Sequence, residues 1–285
     1  MMHSPHTANR LRFTCNIWTL RTIFIAYSIS LLITISSGGS ANAQLEPTDL
    51  QHAHTLTTNI AGWVALRAGM QIIVKRSGIE NGTAETSDTL AILLGLEDGS
   101  GKLDAIIIGA IRAAFSAHQA DDLEVSKLYA EQGLTLARAK AIACLVFGHA
   151  PKRQAAMVEF LKLSQAEFQS CPQTYLRFSN HWLKIAAPMR AAPGRFREGS
   201  IPGQIVLTPA AGSKASARAI LLASTTLNEV AAFFNNAITF SGTINIKALD
   251  CDRADILPAP DEVRLCYKLV SALADSIEQG LLFDD

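Results

Sequence analysis

Neither His-Glu-x-x-His nor Cys-x-x-Cys occurs anywhere in the 285 residues, and Gly-x-Ser-x-Gly, a Walker loop and a dinucleotide fingerprint are missing too. Those absences exclude the recognisable forms of a zinc hydrolase helix, a thiol redox or zinc-ribbon site, a nucleophile elbow and a phosphate cradle. Aromatic residues make up only 7% of the chain. The abundant Ala, Leu and Ile favour helices over a β-rich fold. No block of Lys and Arg is present, so no nucleic-acid footprint is expected. The longest apolar stretch near the N-terminus is about 13 residues, against the roughly 20 that a spanning helix needs.

That stretch, from about Ile23 to Ile35, follows Arg10, Arg12 and Arg21 and precedes Ala41-Asn42-Ala43. A basic segment, a short apolar segment and small residues around a cleavage point read as a signal peptide over residues 1–43, with an uncleaved anchor as the alternative. Export to a bacterial periplasm or medium is the expectation, with no stable membrane span left after cleavage. Residues 44–285 carry 22 basic and 25 acidic residues, a formal charge of −3. Cys15 leaves with the leader, and Cys144, Cys171, Cys251 and Cys266 remain. An even count in an exported chain points to disulfides. Three pairings are possible, and proximity in sequence favours Cys144 with Cys171 and Cys251 with Cys266.

Helical periodicity runs over 49–76, where Ile60, Trp63, Val64, Met70, Ile73 and Val74 share one stripe. Thr86 or Ser87 suits the start of a helix reaching about Leu96, and Leu103 to Phe115 is a strongly apolar helix. Thr135 suits a cap for the helix that holds Cys144, with Gly148 as its stop. Pro151 and Pro172 each suit the first turn of a further helix, and Pro188 a stop. Residues 191–203 are rich in Pro and Gly and read as a linker. Beyond it, 204–208 reads as a strand, 213–234 as a helix, 243–248 as a strand, 262–267 as a second strand or a strand-to-helix entry, and 268–279 as a helix. The fold class is α+β, mostly helical, with a small antiparallel element near the C-terminus.

Two of these segments carry a resemblance. Cys144 on a helix closing at Gly148, Cys171-Pro172, Trp182 and Ala187-Pro188 resemble the C-terminal helical part of a bacterial family of zinc metallopeptidases, zincin-like and of otherwise unassigned function. The helix 213–234, the strand 243–248, and Cys251 through Cys266-Tyr267-Lys268-Leu269 resemble its N-terminal part, with Lys268 where the family has Glu. On this likeness 44–190 corresponds to the C-terminal part and 204–285 to the N-terminal part, in reversed order. Circular permutation, or a tandem duplication trimmed at both ends, gives that order.

The resemblance implies a zinc helix near 59–74. With Asp88 aligned to the family's acidic run, Ala65, Leu66, Arg67, Ala68 and Gly69 stand where His-Glu-x-Gly-His would. Zinc hydrolysis needs two imidazoles one turn apart, a third ligand and a carboxylate beside the water. Alanine and glycine cannot ligate, and Leu66 cannot take a proton. No cofactor is therefore expected, and no catalytic residue is assigned. The weak metal candidates are His52, His54, Glu85 and Asp88. His52 and His54, two apart on a helix, do not face together; Glu85 suits a helix start. The expected function is a catalytically degenerate relative that binds a peptide or protein. The alternatives are an active metal-dependent hydrolase with a non-standard site, and a helical interaction protein unrelated to peptidases.

Overall fold

A computed structural model describes residues 47–79, 83–97, 101–119, 123–152, 163–190, 204–208, 215–240, 242–252, 256–259 and 261–283. All of them lie in one unit, Leu45–Asp285. The expected signal peptide, the linker 191–203 and the body of the helix after Pro151 fall outside the described residues.

Helix α1 (Pro47–Arg76) is the axis of the fold. At 30 residues it is about 45 Å long. The stripe read from its sequence understates its burial: every residue from Ile60 to Leu66 is buried, as are Ala68 to Met70 and Ile72 to Val74. A helix that is apolar all round belongs in a core. Around α1 stand α2 (Ala84–Glu97), α3 (Lys102–Gln119), α7 (Ala217–Ala237), α8 (Tyr267–Phe283) and part of the sheet. Small residues allow the approach. A Cβ on Gly69 would lie 2.7 Å from the Phe234 ring of α7, and one on Gly62 would lie 3.2 Å from Ile106 of α3.

Helices α4 (Leu123–Glu131), α5 (Leu136–His149) and α6 (Gln165–Ala186) complete the first half. Three boundaries differ from expectation. Thr83, rather than Thr86 or Ser87, caps α2, its hydroxyl accepting from the Thr86 amide at 3.2 Å. Pro172 lies inside α6 instead of opening it, because Ser164 and Glu167 form a capping box a full two turns earlier. Proline there costs one rung of the helix ladder. Gly148 is not the positive-φ stop of α5; it sits in the last turn, where a Cβ would run into the Cys171 carbonyl oxygen and Tyr175 Cβ of α6. The glycine is there for close helix packing, beside the Cys144–Cys171 disulfide. Thr135 does cap α5, accepting from the Arg138 amide. A 3₁₀ turn, Ala187–Met189, ends α6 at Pro188.

The sheet has the order β1-β2-β4-β3, from β1 (Gln204–Thr208), β2 (Thr243–Leu249), β3 (Ile256–Ala259) and β4 (Glu262–Cys266). It is mixed, not antiparallel: β1 pairs parallel with β2, and β2 parallel with β4, while β3 pairs antiparallel with β4. The crossover helix α7 joins β1 to β2, the usual way of linking parallel neighbours. The expectation missed β3, which lets the chain turn back and insert β4 beside β2. The buried side chains of β2 are Ile244, Ile246 and Ala248, those of β4 Val263, Leu265 and Cys266. The parallel register sets Leu249 opposite Cys266, which brings Cys251, two residues on, to a Cα separation of 5.5 Å for the second disulfide.

Helices α7 and α8 both pack on α1, so 204–285 does not stand apart from the first half. Arg76 at the end of α1 reaches the Thr243 carbonyl oxygen at 2.9 Å and pairs with Asp261. Among the described residues no helix is long and apolar enough to cross a membrane. Gly148→Ala is expected to destabilise the protein by about 1–3 kcal/mol, since α6 backbone occupies the space. Chemical denaturation measures this, and an unchanged midpoint would contradict the close α5–α6 contact.

Candidate functional site

One charged residue interrupts the apolar run of α1 between Ile60 and Val74, and it is Arg67. Its Nε donates to Asp88 Oδ1 of α2 at 2.7 Å. Arg138, in the first turn of α5, donates from Nη2 to Asp88 Oδ2 at 2.7 Å. Asp88 is the buried member, its side chain 2% exposed against 20% and 22% for the two arginines. Burial pushes its carboxyl up from the ordinary value, while the charges and hydrogen bonds of Arg67 and Arg138 pull it back. Arg67 Nη1 also donates to the Gln132 carbonyl oxygen at 3.0 Å, and Arg138 Nη2 to that of Glu85 at 3.3 Å. The cluster thus ties α1, α2, α5 and the α4–α5 turn at one point.

Gly133 makes room for it. This residue has φ +75°, and a Cβ there would collide with the Arg67 guanidinium. Only glycine takes that backbone conformation freely and leaves that space.

The cluster answers whether the residues fit a zinc ion. Both oxygens of Asp88 are engaged by guanidiniums, and two fixed positive charges oppose a third. Ala65 and Gly69 lie one helical turn apart, but Arg67 is about 200° round the helix from Ala65. The side of α1 that meets Asp88 therefore carries Arg67 and, one turn before it, Trp63. Neither side chain ligates zinc. Among the described residues no three of His, Cys, Asp and Glu gather in a metal-holding group. The residues do not fit the metal.

The four weak metal candidates separate. His52 and His54 lie near the start of α1, with His54 thirteen residues and about 20 Å of helix from Arg67. Glu85 is exposed in the first turn of α2, as suits a helix start. Of the four, only Asp88 brings its side chain into the cluster, while Glu85 contributes its backbone carbonyl oxygen. His149 at the end of α5 contacts the Tyr175 hydroxyl through Nδ1 at 2.9 Å, and His181 is an exposed residue edge-on to Trp182. Sequence reasoning passed over Arg67 and Arg138. The signal for Arg67 was there: a lone guanidinium in a run that is otherwise without charge needs a buried partner.

A small cleft of about 200 Å³ borders Arg138, between α2, α5 and α6. Thr89, Ile92, Ala141, Ile142, Leu145 and Phe178 are among the residues that line it.

Residues 79–185 match the model of a family described as "Putative metallopeptidase". The match runs from the start of α2 to the end of α6, so it includes Asp88, Arg138, Gly148 and the Cys144–Cys171 bridge. The family likeness is thereby found over residues 79–185 alone; α1, with Arg67, and everything from β1 to α8 lie outside the matched residues. No curated protein and no solved structure matches the chain.

Asp88→Ala is expected to cost about 3 kcal/mol, because it strands two partly buried guanidiniums. Gly133→Ala is expected to cost about 1–3 kcal/mol through backbone strain and displacement of Arg67. Thermal or urea unfolding checks both. An Asp88→Ala variant as stable as the parent would show that the cluster is dispensable.

Proposed function

We propose that this chain is an exported, catalytically degenerate relative of the metallopeptidase family that acts by binding a peptide or protein. The observation that supports it is the Arg67–Asp88–Arg138 cluster. It sits beside the segment of α1 that the resemblance aligns with the zinc helix, and it sets guanidiniums around the carboxylate. A carboxylate held in that way cannot take up a metal, and a peptidase of this kind has no Lewis acid or water base without one. The leader expected over 1–43, and two disulfides of the kind that persist in oxidising compartments, support export. The cleft beside Arg138 supports binding: it has an apolar floor, polar threonines and a guanidinium at its edge, a combination that accepts one apolar side chain and a neighbouring backbone carbonyl.

The alternative of an active hydrolase with a site from His52, His54, Glu85 or Asp88 has no supporting metal-holding group among the described residues. The other alternative, a helical interaction protein unrelated to peptidases, would be favoured by a separately packed 204–285, and the packing of α7 and α8 on α1 counts against it.

The test is twofold. Peptide libraries incubated with the purified protein and added zinc should remain uncut. Peptides selected on the protein should bind saturably, and Ala141→Trp, which puts a large ring on the cleft's lining from an exposed position, should weaken them about tenfold or more without altering the fold. Zinc-dependent, chelator-sensitive cleavage would sink the degenerate reading. Peptide binding indifferent to Ala141→Trp would sink the cleft.

A further inference from the structure

Helix α7 lies beside α1 and runs the same way: Thr226 Oγ1 donates to the Thr58 carbonyl oxygen at 3.1 Å, and Gly69 lies against the Phe234 ring. That contact buries one face of α7. The opposite face is exposed along the whole helix, and none of its exposed residues is charged. Ile220, Leu221, Ser224, Thr225, Asn228 and Ala232 form its centre, three and four residues apart as a single stripe requires. Other long helices do carry charge on their outer faces, with Arg112 on α3, Arg177 on α6 and Asp275 on α8 exposed. A solvated helix face normally carries charged residues, whereas the centre of a protein interface is depleted of them.

Two features of this face fit each other. Leu221 stands out from it, 63% exposed. One to two turns further along, Thr225 and Glu229 form one wall of an open, mostly apolar groove of about 630 Å³, with Thr58 and Asn59 of α1 and Ala105 of α3 among the residues of its other walls. A projecting apolar side chain and an apolar groove on the same rigid helix cannot meet within one molecule. They meet when two copies pair about a two-fold axis between them, the closed arrangement that a self-complementary patch gives.

The groups around them obey the same symmetry. Arg218 and Glu229 are about three turns apart, hence on the same edge of the stripe. Arg218 pairs with Glu278 of α8 and keeps 33% of its side chain exposed, and among the described residues no cation pairs with Glu229. An antiparallel pairing centred near Ser224 sets Glu229 of each copy opposite the partner's Arg218, and Leu221 of each at the level of the other's groove. At the centre Ser224 has given its hydroxyl hydrogen to the Leu221 carbonyl oxygen at 3.0 Å and can only accept, while the Asn228 carboxamide has N–H groups to donate.

From this we infer that α7 is the contact surface of a homodimer: two copies pack α7 against α7 antiparallel, Leu221 of each against the other's groove and Glu229 of each facing the partner's Arg218. The contact shares no lining residue with the cleft beside Arg138, so it stands apart from the proposed peptide-binding role.

Sedimentation velocity of the purified protein from about 1 to 100 μM tests it, a range that spans the affinities of ordinary reversible association. A monomer–dimer equilibrium is expected. Leu221→Asp sets a charge against an apolar wall, and Glu229→Arg sets like charges face to face, so each should weaken the dimer about tenfold or more. Arg177→Glu, on the outer face of α6, should leave it unchanged. Circular dichroism at the lowest concentration should show all three variants folded, since position 221 is open to solvent and 229 half-buried. A protein that stays monomeric throughout the range, a dimer indifferent to Leu221→Asp and Glu229→Arg, or assembly that continues beyond the dimer would each overturn the inference.

Discussion

Helix α1 is buried on every side through its middle, and this constrains everything packed around it. A residue pointing out of such a helix meets another element whichever way it faces, so each must be apolar, absent or paired. Gly62 and Gly69 are the absent ones, admitting Ile106 and Phe234. Arg67 is the paired one. Its charge is tolerable because Asp88 lies within a hydrogen bond and because Arg67 keeps part of its surface in water. Asp88 in turn draws in Arg138, and so the positions of α2 and α5 relative to α1 follow from one carboxylate.

The same constraint bears on chemistry. A hydrolytic metal needs an open coordination position and a water beside a base. The middle of α1 offers neither room nor ligands, and the carboxylate nearest to it is spoken for by two guanidiniums. What remains open lies at the edges: the small cleft beside Arg138, and an open groove near the start of α1.

Much of the fold was legible because it is written in short-range signals. The long helix over 49–76, the Thr135 cap, the strand at 243–248 and the two nearest-neighbour cysteine pairs are local features, and the structure has each of them. The parallel sense of the sheet was not legible, since alternation in 243–248 is the same whichever way its neighbour runs, and the short strand β3 with Pro258 carries almost no pattern. Pro172 misled because proline is usually a first-turn residue, whereas the capping box at Ser164 and Glu167 outweighs it. Gly148 misled because a glycine at a helix end has two uses, a left-handed turn or a close contact, and sequence does not say which.

The site was the least legible part. Asp88 was singled out as a possible ligand, and it does stand at the centre of a cluster, but the groups it meets are cations from two distant stretches of chain. Nothing in the spacing of 67, 88 and 138 reports that meeting. The central claim, that guanidiniums and not a metal hold this carboxylate, is tested most directly by elemental analysis of the purified protein before and after chelation, with melting temperature followed alongside. The account predicts less than about a tenth of an equivalent of zinc and no change in melting temperature on chelation, since a bound structural metal contributes directly to stability. Close to one equivalent of tightly held zinc, removed only with loss of stability, would contradict it.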